Sequence, residues 1–222
     1  MWYDPSVASS ITLNGSNVSQ LNDLSGNGRN LTQSTASSQP AYVTAARNGN
    51  NVMRFTSAQA LQFNSANTGS AYTVTSQSIF FALFPTNAAA NQARVFSQQI
   101  AGQNDFSGTG HLIPSYYANN AQISVYANGS AQAGIAVTAG QGVIVSLVHS
   151  GSSFNHRVNR GSLASGTSTL NTTFANFGLG VGGSAVAGDF CEFIIYNNRA
   201  CSETERTAIE RYLANKWGIT VA

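Results

Sequence analysis

Apolar and polar residues alternate in short runs along most of the chain, and Gly, Asn or Ser repeatedly closes them. Period-two alternation with turn residues at the breaks predicts short strands. These fall at 18–21, 41–43, 52–55, 61–63 and 72–84, then at 95–96, 112–113, 116–117, 123–125, 135–137, 143–148, 154–158 and 177–181. The segment 72–84 ends in the unbroken apolar run 79–84, which fits a central strand buried on both faces. Asn128–Gly129 follows Val125–Tyr126 and predicts a hairpin, because both turn residues tolerate positive φ.

The pattern changes near the C-terminus. Residues 189–196 are rich in β-branched and aromatic types, and Asn197–Asn198 then breaks the strand. Ser202 is placed as an N-cap, with Glu205 three residues later reaching back to the cap amide. Ile209, Tyr212, Leu213 and Trp217 follow at helical spacing. Glu203 and Glu205 oppose the positive end of the helix dipole, Lys216 sits near its negative end, and Gly218 terminates it. About a dozen strands and one closing helix predict an all-β fold, a two-sheet antiparallel sandwich of jelly-roll type. At 222 residues, without repeat, heptad or linker, the chain reads as one domain, 1–222.

Particular residues strengthen this reading. Glu192, Tyr196, Tyr212–Leu213 and Lys216–Trp217–Gly218 resemble the closing strand and helix of the LamG-like, concanavalin A-like jelly-roll family. Trp2, Asp4 and Ser6, the loop 24–28 (LSGNG), Gln39–Pro40, and Asn51–Val52 to Phe55 match the same family in order, so the resemblance spans the chain. It implies a sandwich excised from or appended to a larger protein, in a family of lectin-like domains, enzymes and structural modules.

Composition narrows the partners. Charged residues are only 8% of the chain, and its net charge of +2 is scattered. Without a basic stripe, nucleic acid is excluded as the expected partner. The longest apolar run, 79–84, is far short of the roughly 20 residues of a spanning helix, so no membrane insertion is expected. Cys191 and Cys201 flank the last turn, a spacing open to either a disulfide or two buried thiols.

Candidate chemistry is sparse. Glycoside hydrolysis asks for two carboxyl groups flanking one bond, and only eight acids are present. Asp189 and Glu192, at odd spacing on one strand, should point to opposite faces. Asp23 is expected to cap its own loop. Glu192 is expected in a structural role, accepting hydrogen bonds or pairing with an arginine, and Trp2 and Trp217 in core packing or end closure, not as a sugar platform. His111, His149 and His156 form neither a serine-hydrolase arrangement nor a short-spaced metal set. No catalytic residue, metal or cofactor is expected.

One region combines aromatic faces with hydrogen-bonding groups, the pairing that sugars require. Between 103 and 120 lie Asp105, Phe106, His111, Tyr116, Tyr117 and Asn119, in a stretch broken by Gly and Pro. Alternation would turn one of the two tyrosines to the core. The sequence therefore leads to a noncatalytic, lectin-like module on an extracellular or virion-associated protein. Its expected partner is a cell-surface glycan or polysaccharide, with other subunits of a virion or surface assembly as a further class. A structural module without sugar binding and a glycoside hydrolase are the alternatives.

Overall fold

The computed structural model describes residues 1–56, 59–64, 71–86, 93–101, 113–117, 121–127, 129–180 and 186–222, with the side chains of 64, 113, 115–117 and 133 excepted. One antiparallel ladder folds over to form both layers. It runs from Phe96–Gln99 through Asn176–Leu179, Leu61–Asn64, Leu31–Thr32 and Asn17–Leu21 to Ala41–Arg47, Asn50–Phe55, Gly188–Asn197, Gln77–Pro85, Val143–Ser150, Ser153–Val158 and Ala164–Thr167. The corner lies between Asn17–Leu21 and Ala41–Arg47, whose register is the single pair Asn17↔Ala41. A second sheet holds Ala93–Arg94, Ile113–Tyr117, Gln122–Ala127 and Ser130–Ala136, and Tyr72–Val74 pairs with Thr172–Phe174. The all-β sandwich expected from alternation is the observed fold.

Alternation also explains the core. Val18, Leu31, Leu61, Phe63 and Phe177 point inward from one layer, and Phe81, Leu83, Phe190 and Phe193 from the other. Phe96 joins them, edge-on to Phe81 and to Phe193 at 6.4 Å each. Gln77–Pro85 is central, between Gly188–Asn197 and Val143–Ser150. The longer strand expected over 72–84 is interrupted at Thr75, whose amide donates to Asn198 Oδ1 at 2.9 Å.

The helix Glu203–Trp217 covers the outer face of this central sheet. It has the expected capping box between Ser202 and Glu205, and Gly218 closes it at φ 66°. The apolar stripe is only partly as expected. Leu213 and Trp217 are buried, while Tyr212 is exposed and reaches sideways with its hydroxyl. Ala214 and two charged residues, Arg206 and Glu210, occupy the remaining buried positions. Among the described residues, no helix is long and apolar enough to cross a membrane.

Both cysteines are free thiols in this helix-covered cluster. Cys201 N–H donates to Ser78 Oγ, whereas Cys191 sits in the bulge opposite Ala82 and Leu83. Four residues of strand from Ser78 to Ala82 separate these places by roughly 13 Å, well beyond disulfide reach.

Candidate functional site

The carboxylates near the helix are locked into the architecture. Glu192 is fully buried and accepts from Trp2 Nε1 (2.8 Å), Tyr212 Oη (3.0 Å), Lys216 Nζ (2.8 Å) and Trp217 Nε1 (3.1 Å). The structural role expected for it is observed, with a lysine and two indoles in place of an arginine. Lys216 also pairs with Asp4. Burial works to lower the Lys216 pKa, but the hydrogen bonds it donates to Asp4 and Glu192 outweigh that and raise the value above the ordinary lysine range.

Asp189 is similarly held, accepting from Arg47 Nε at 2.8 Å and from Arg54 Nε at 2.6 Å. It shares the outer, helix-facing side of its strand with Glu192, contrary to the expectation from odd spacing. The cause is a β-bulge, a register shift between Phe190 and Glu192 that places Cys191 and Glu192 on the same side in succession. Glu210 accepts from Arg157 Nε at 2.8 Å and Nη2 at 2.6 Å, and Ser146 Oγ donates to it as well. Each of these four acids has a cationic partner, as buried charges require.

A different environment opens at the edge of the sandwich, where a groove of about 730 Å³ is lined by Trp2, Asn27, Arg29, Tyr72, Tyr196 and Arg199, among others. The first strand supplies Trp2, paired with Ile194. Asp23 draws the next loop against that strand, its Oδ1 accepting from Trp2 N–H (2.9 Å), Ser25 N–H (3.0 Å) and Ser25 Oγ (2.6 Å). This is the loop-capping role expected from the sequence. Gly26 and Gly28, at φ 81° and 69°, let the loop turn, and Tyr3 Oη fixes its end by donating to the Arg29 carbonyl at 2.7 Å.

The opposite wall is tied down through Asn198, whose side chain donates to Thr73 O and accepts from Thr75 N–H, both at 2.9 Å. Trp2 remains 36% exposed. The Arg29 guanidinium lies 5.1 Å from the Tyr72 ring centroid, and that of Arg199 lies 5.2 Å from Tyr196. Arg199 also pairs with Glu205. No carboxylate is among the described residues lining the groove. Arg29 Nε and Asp23 Oδ2 are buried without a hydrogen-bond partner among the described residues.

A second, smaller groove crosses the helix-free layer. Ladder register aligns Gln20, Thr32 and Gln62 on its outer face, and Ser19, Gln33 and Ser34 complete a lining of amides and hydroxyls. It offers hydrogen bonds but no aromatic platform.

Of the glycan-binding residues expected from the sequence, Asp105, Phe106, His111 and Asn119 lie outside the described residues. The backbones of Tyr116 and Tyr117 lie on the strand Ile113–Tyr117, opposite Ile123 and Gln122. Sequence reading missed the edge groove because its walls come from residues near 2, 25–29, 72–73 and 194–199. Local cues for it were present in the LSGNG loop and the Asn197–Asn198 turn. Among the described residues, no group of three His, Cys, Asp or Glu side chains is arranged to hold a metal.

No protein-family model and no curated protein matches the chain. Solved structures do. An arabinofuranosidase complexed with arabinofuranosyl-α-1,2-xylobiose is 17% identical with a TM-score of 0.67, covering 93% of this chain and 52% of its own. A GH54 α-l-arabinofuranosidase soaked with 4-nitrophenyl α-l-arabinofuranoside is 16% identical with a TM-score of 0.66 and the same coverage. Domain 4 of AbnA, a GH43 extracellular arabinanase from Geobacillus stearothermophilus in complex with arabinotriose, is 13% identical with a TM-score of 0.57, covering 77% of this chain and 81% of its own. The chain thus spans about half the length of the arabinofuranosidases it matches.

These neighbours establish a β-sandwich of the kind found in carbohydrate-binding and glycosidase proteins. They correct the expectations of a noncatalytic lectin and of no enzymatic activity, because the matches extending over most of the chain are to glycoside hydrolases. They give no support to a virion setting.

Proposed function

We propose that this chain is a sandwich domain of glycoside-hydrolase type that acts on arabinofuranosyl glycans and receives the glycan along the edge groove. The observation that carries the reading is the overlay of 93% of the chain on arabinofuranosidases at TM-scores of 0.66 and 0.67. The groove supports it with an exposed indole, a half-buried tyrosine and several amides, groups that suit a polyhydroxylated ring. The extracellular arabinanase among the neighbours supports an extracellular setting, and the motifs around Trp2, Asp4, the LSGNG loop and Lys216–Trp217–Gly218 support LamG-like kinship.

Two carboxyl groups must supply the chemistry, one to protonate the leaving oxygen and one to act as nucleophile or base. Asp4, Asp189, Glu192 and Glu210 are buried and committed to cations. The other four acids are Asp23, which caps its loop, Glu203 and Glu205, which pair with Arg157 and Arg199 at the exposed start of the helix, and Asp105, and the pair is sought among these four. The test is release of 4-nitrophenol from 4-nitrophenyl α-l-arabinofuranoside by the wild type and by Asp23→Asn, Asp105→Asn, Glu203→Gln and Glu205→Gln. Release by the wild type, cut about a thousandfold or more in two folded variants, is expected. No release by the wild type overturns the hydrolase reading, and full release by all four variants overturns the choice of acids.

A further inference from the structure

We infer that the edge groove recognises a carboxylate-bearing sugar, a uronate unit of the glycan. This rests on the reading of the groove as a glycan site and gives that site a ligand class. Two guanidinium groups, Arg29 and Arg199, line the groove, and no Asp or Glu is among its described lining residues. Arg199 is already paired with Glu205 outside the lining, so a neutral ligand leaves the Arg29 charge without an acid in the groove. A carboxylate answers it with the planar, two-oxygen geometry that a guanidinium fork matches.

The state of each arginine points the same way. Arg29 lines the groove, and its buried Nε–H has no acceptor among the described residues. Its guanidinium is held over Tyr72, whose hydroxyl is itself fixed by donation to Gln98 Oε1 at 3.1 Å. Arg199 rests on Tyr196 and shares its charge with Glu205, which is outside the lining. Asp23 opposes an anion least where it matters, because its Oδ1 is taken by Trp2 and Ser25 and its Oδ2 is buried. Trp2 is left to stack on the sugar ring beside the charge, and Asn27 and Asn197 to meet hydroxyls.

Matched ligands that differ only in charge test the inference. Trigalacturonate and a glucuronate-branched xylo-oligosaccharide are titrated calorimetrically against the whole chain, each beside its methyl ester. The acids should bind about tenfold more tightly than the esters, and the margin should shrink with added salt. Arg29→Gln should remove the margin. Arg199→Gln, at a half-exposed side chain, should reduce it, and Glu205→Gln should widen it by releasing Arg199. Equal binding of acid and ester, or a margin untouched by both arginine substitutions, overturns the inference. If arabinofuranoside is hydrolysed while acid and ester bind alike, the uronate assignment falls and the hydrolase reading stands. Acid-selective binding that depends on Arg29, without hydrolysis, has the opposite meaning.

Discussion

The helix-covered sheet and the edge groove treat charge in opposite ways. Under the helix, Asp4, Asp189, Glu192 and Glu210 each have a lysine or arginine partner, and the partners are further fixed by hydroxyls, indoles and backbone. In the groove, Arg29 and Arg199 meet no acid in the lining, and Arg29 Nε has no acceptor among the described residues. The chain carries few charges, so the contrast separates function from architecture. The buried pairs of Asp4, Glu192 and Glu210 tie the helix to the sheet and those of Asp189 tie strand to strand, whereas at the edge Arg199 has only a half-exposed partner, Glu205, and Arg29 has no acid in the lining.

The contrast is broken most severely by removing an answered charge. Glu192→Ala would leave Lys216 and two indole donors facing an empty site, and should cost about 3–5 kcal/mol in denaturant unfolding. Arg29→Gln should cost less than about 1 kcal/mol in the same experiment, because its charge supports binding rather than folding. If the two substitutions cost the same, the division between the regions fails.

Acid sharpens the comparison next. Burial in the core pulls the His156 pKa down to about 4, so the unfolded chain, with an ordinary histidine near 6.5, binds this proton more readily than the folded one. Stability should therefore fall as pH drops from about 6.5 to about 4, by about 3 kcal/mol for this residue, and His156→Phe should flatten that part of the profile. A chain equally stable at both pH values would place His156 outside the core.

Ser202→Ala should lower stability by about 1 kcal/mol, the usual cost of an N-cap, measured as a shift in unfolding midpoint. Reducing agent should leave the midpoint unchanged, since Cys191 and Cys201 are free and too far apart to join.

What was legible in the sequence was local or strictly periodic. The N-cap Ser202 acts on Glu205 three residues away and the terminator Gly218 acts on the helical turn just before it, and the structure places all three as read. Inward alternation of residues such as Leu61 and Phe63, or Phe81 and Leu83, identified a sandwich. Asp189 and Glu192 were misassigned to opposite faces because the bulge between them depends on pairing with Gln77–Pro85, a strand more than a hundred residues earlier. The groove was hidden for the same reason, since Trp2, Arg29, Tyr72 and Arg199 become neighbours only after the ladder closes. The charged half of the helix face escaped notice because Arg206 and Glu210 carry no apolar signal, and only their partners Ser146 and Arg157 explain their burial.

Two indole N–H groups give the most direct test of the groove as a glycan site. Both donate to Glu192, but Trp2 is 36% exposed at the groove and Trp217 is 1% exposed beneath the helix. In a nitrogen–proton correlation spectrum titrated with arabinotriose and with a glucuronate-bearing oligosaccharide, the Trp2 indole signal should move with saturable dependence while that of Trp217 stays in place. A glycan that binds without moving the Trp2 signal would contradict the account and shift the site to another face of the sandwich.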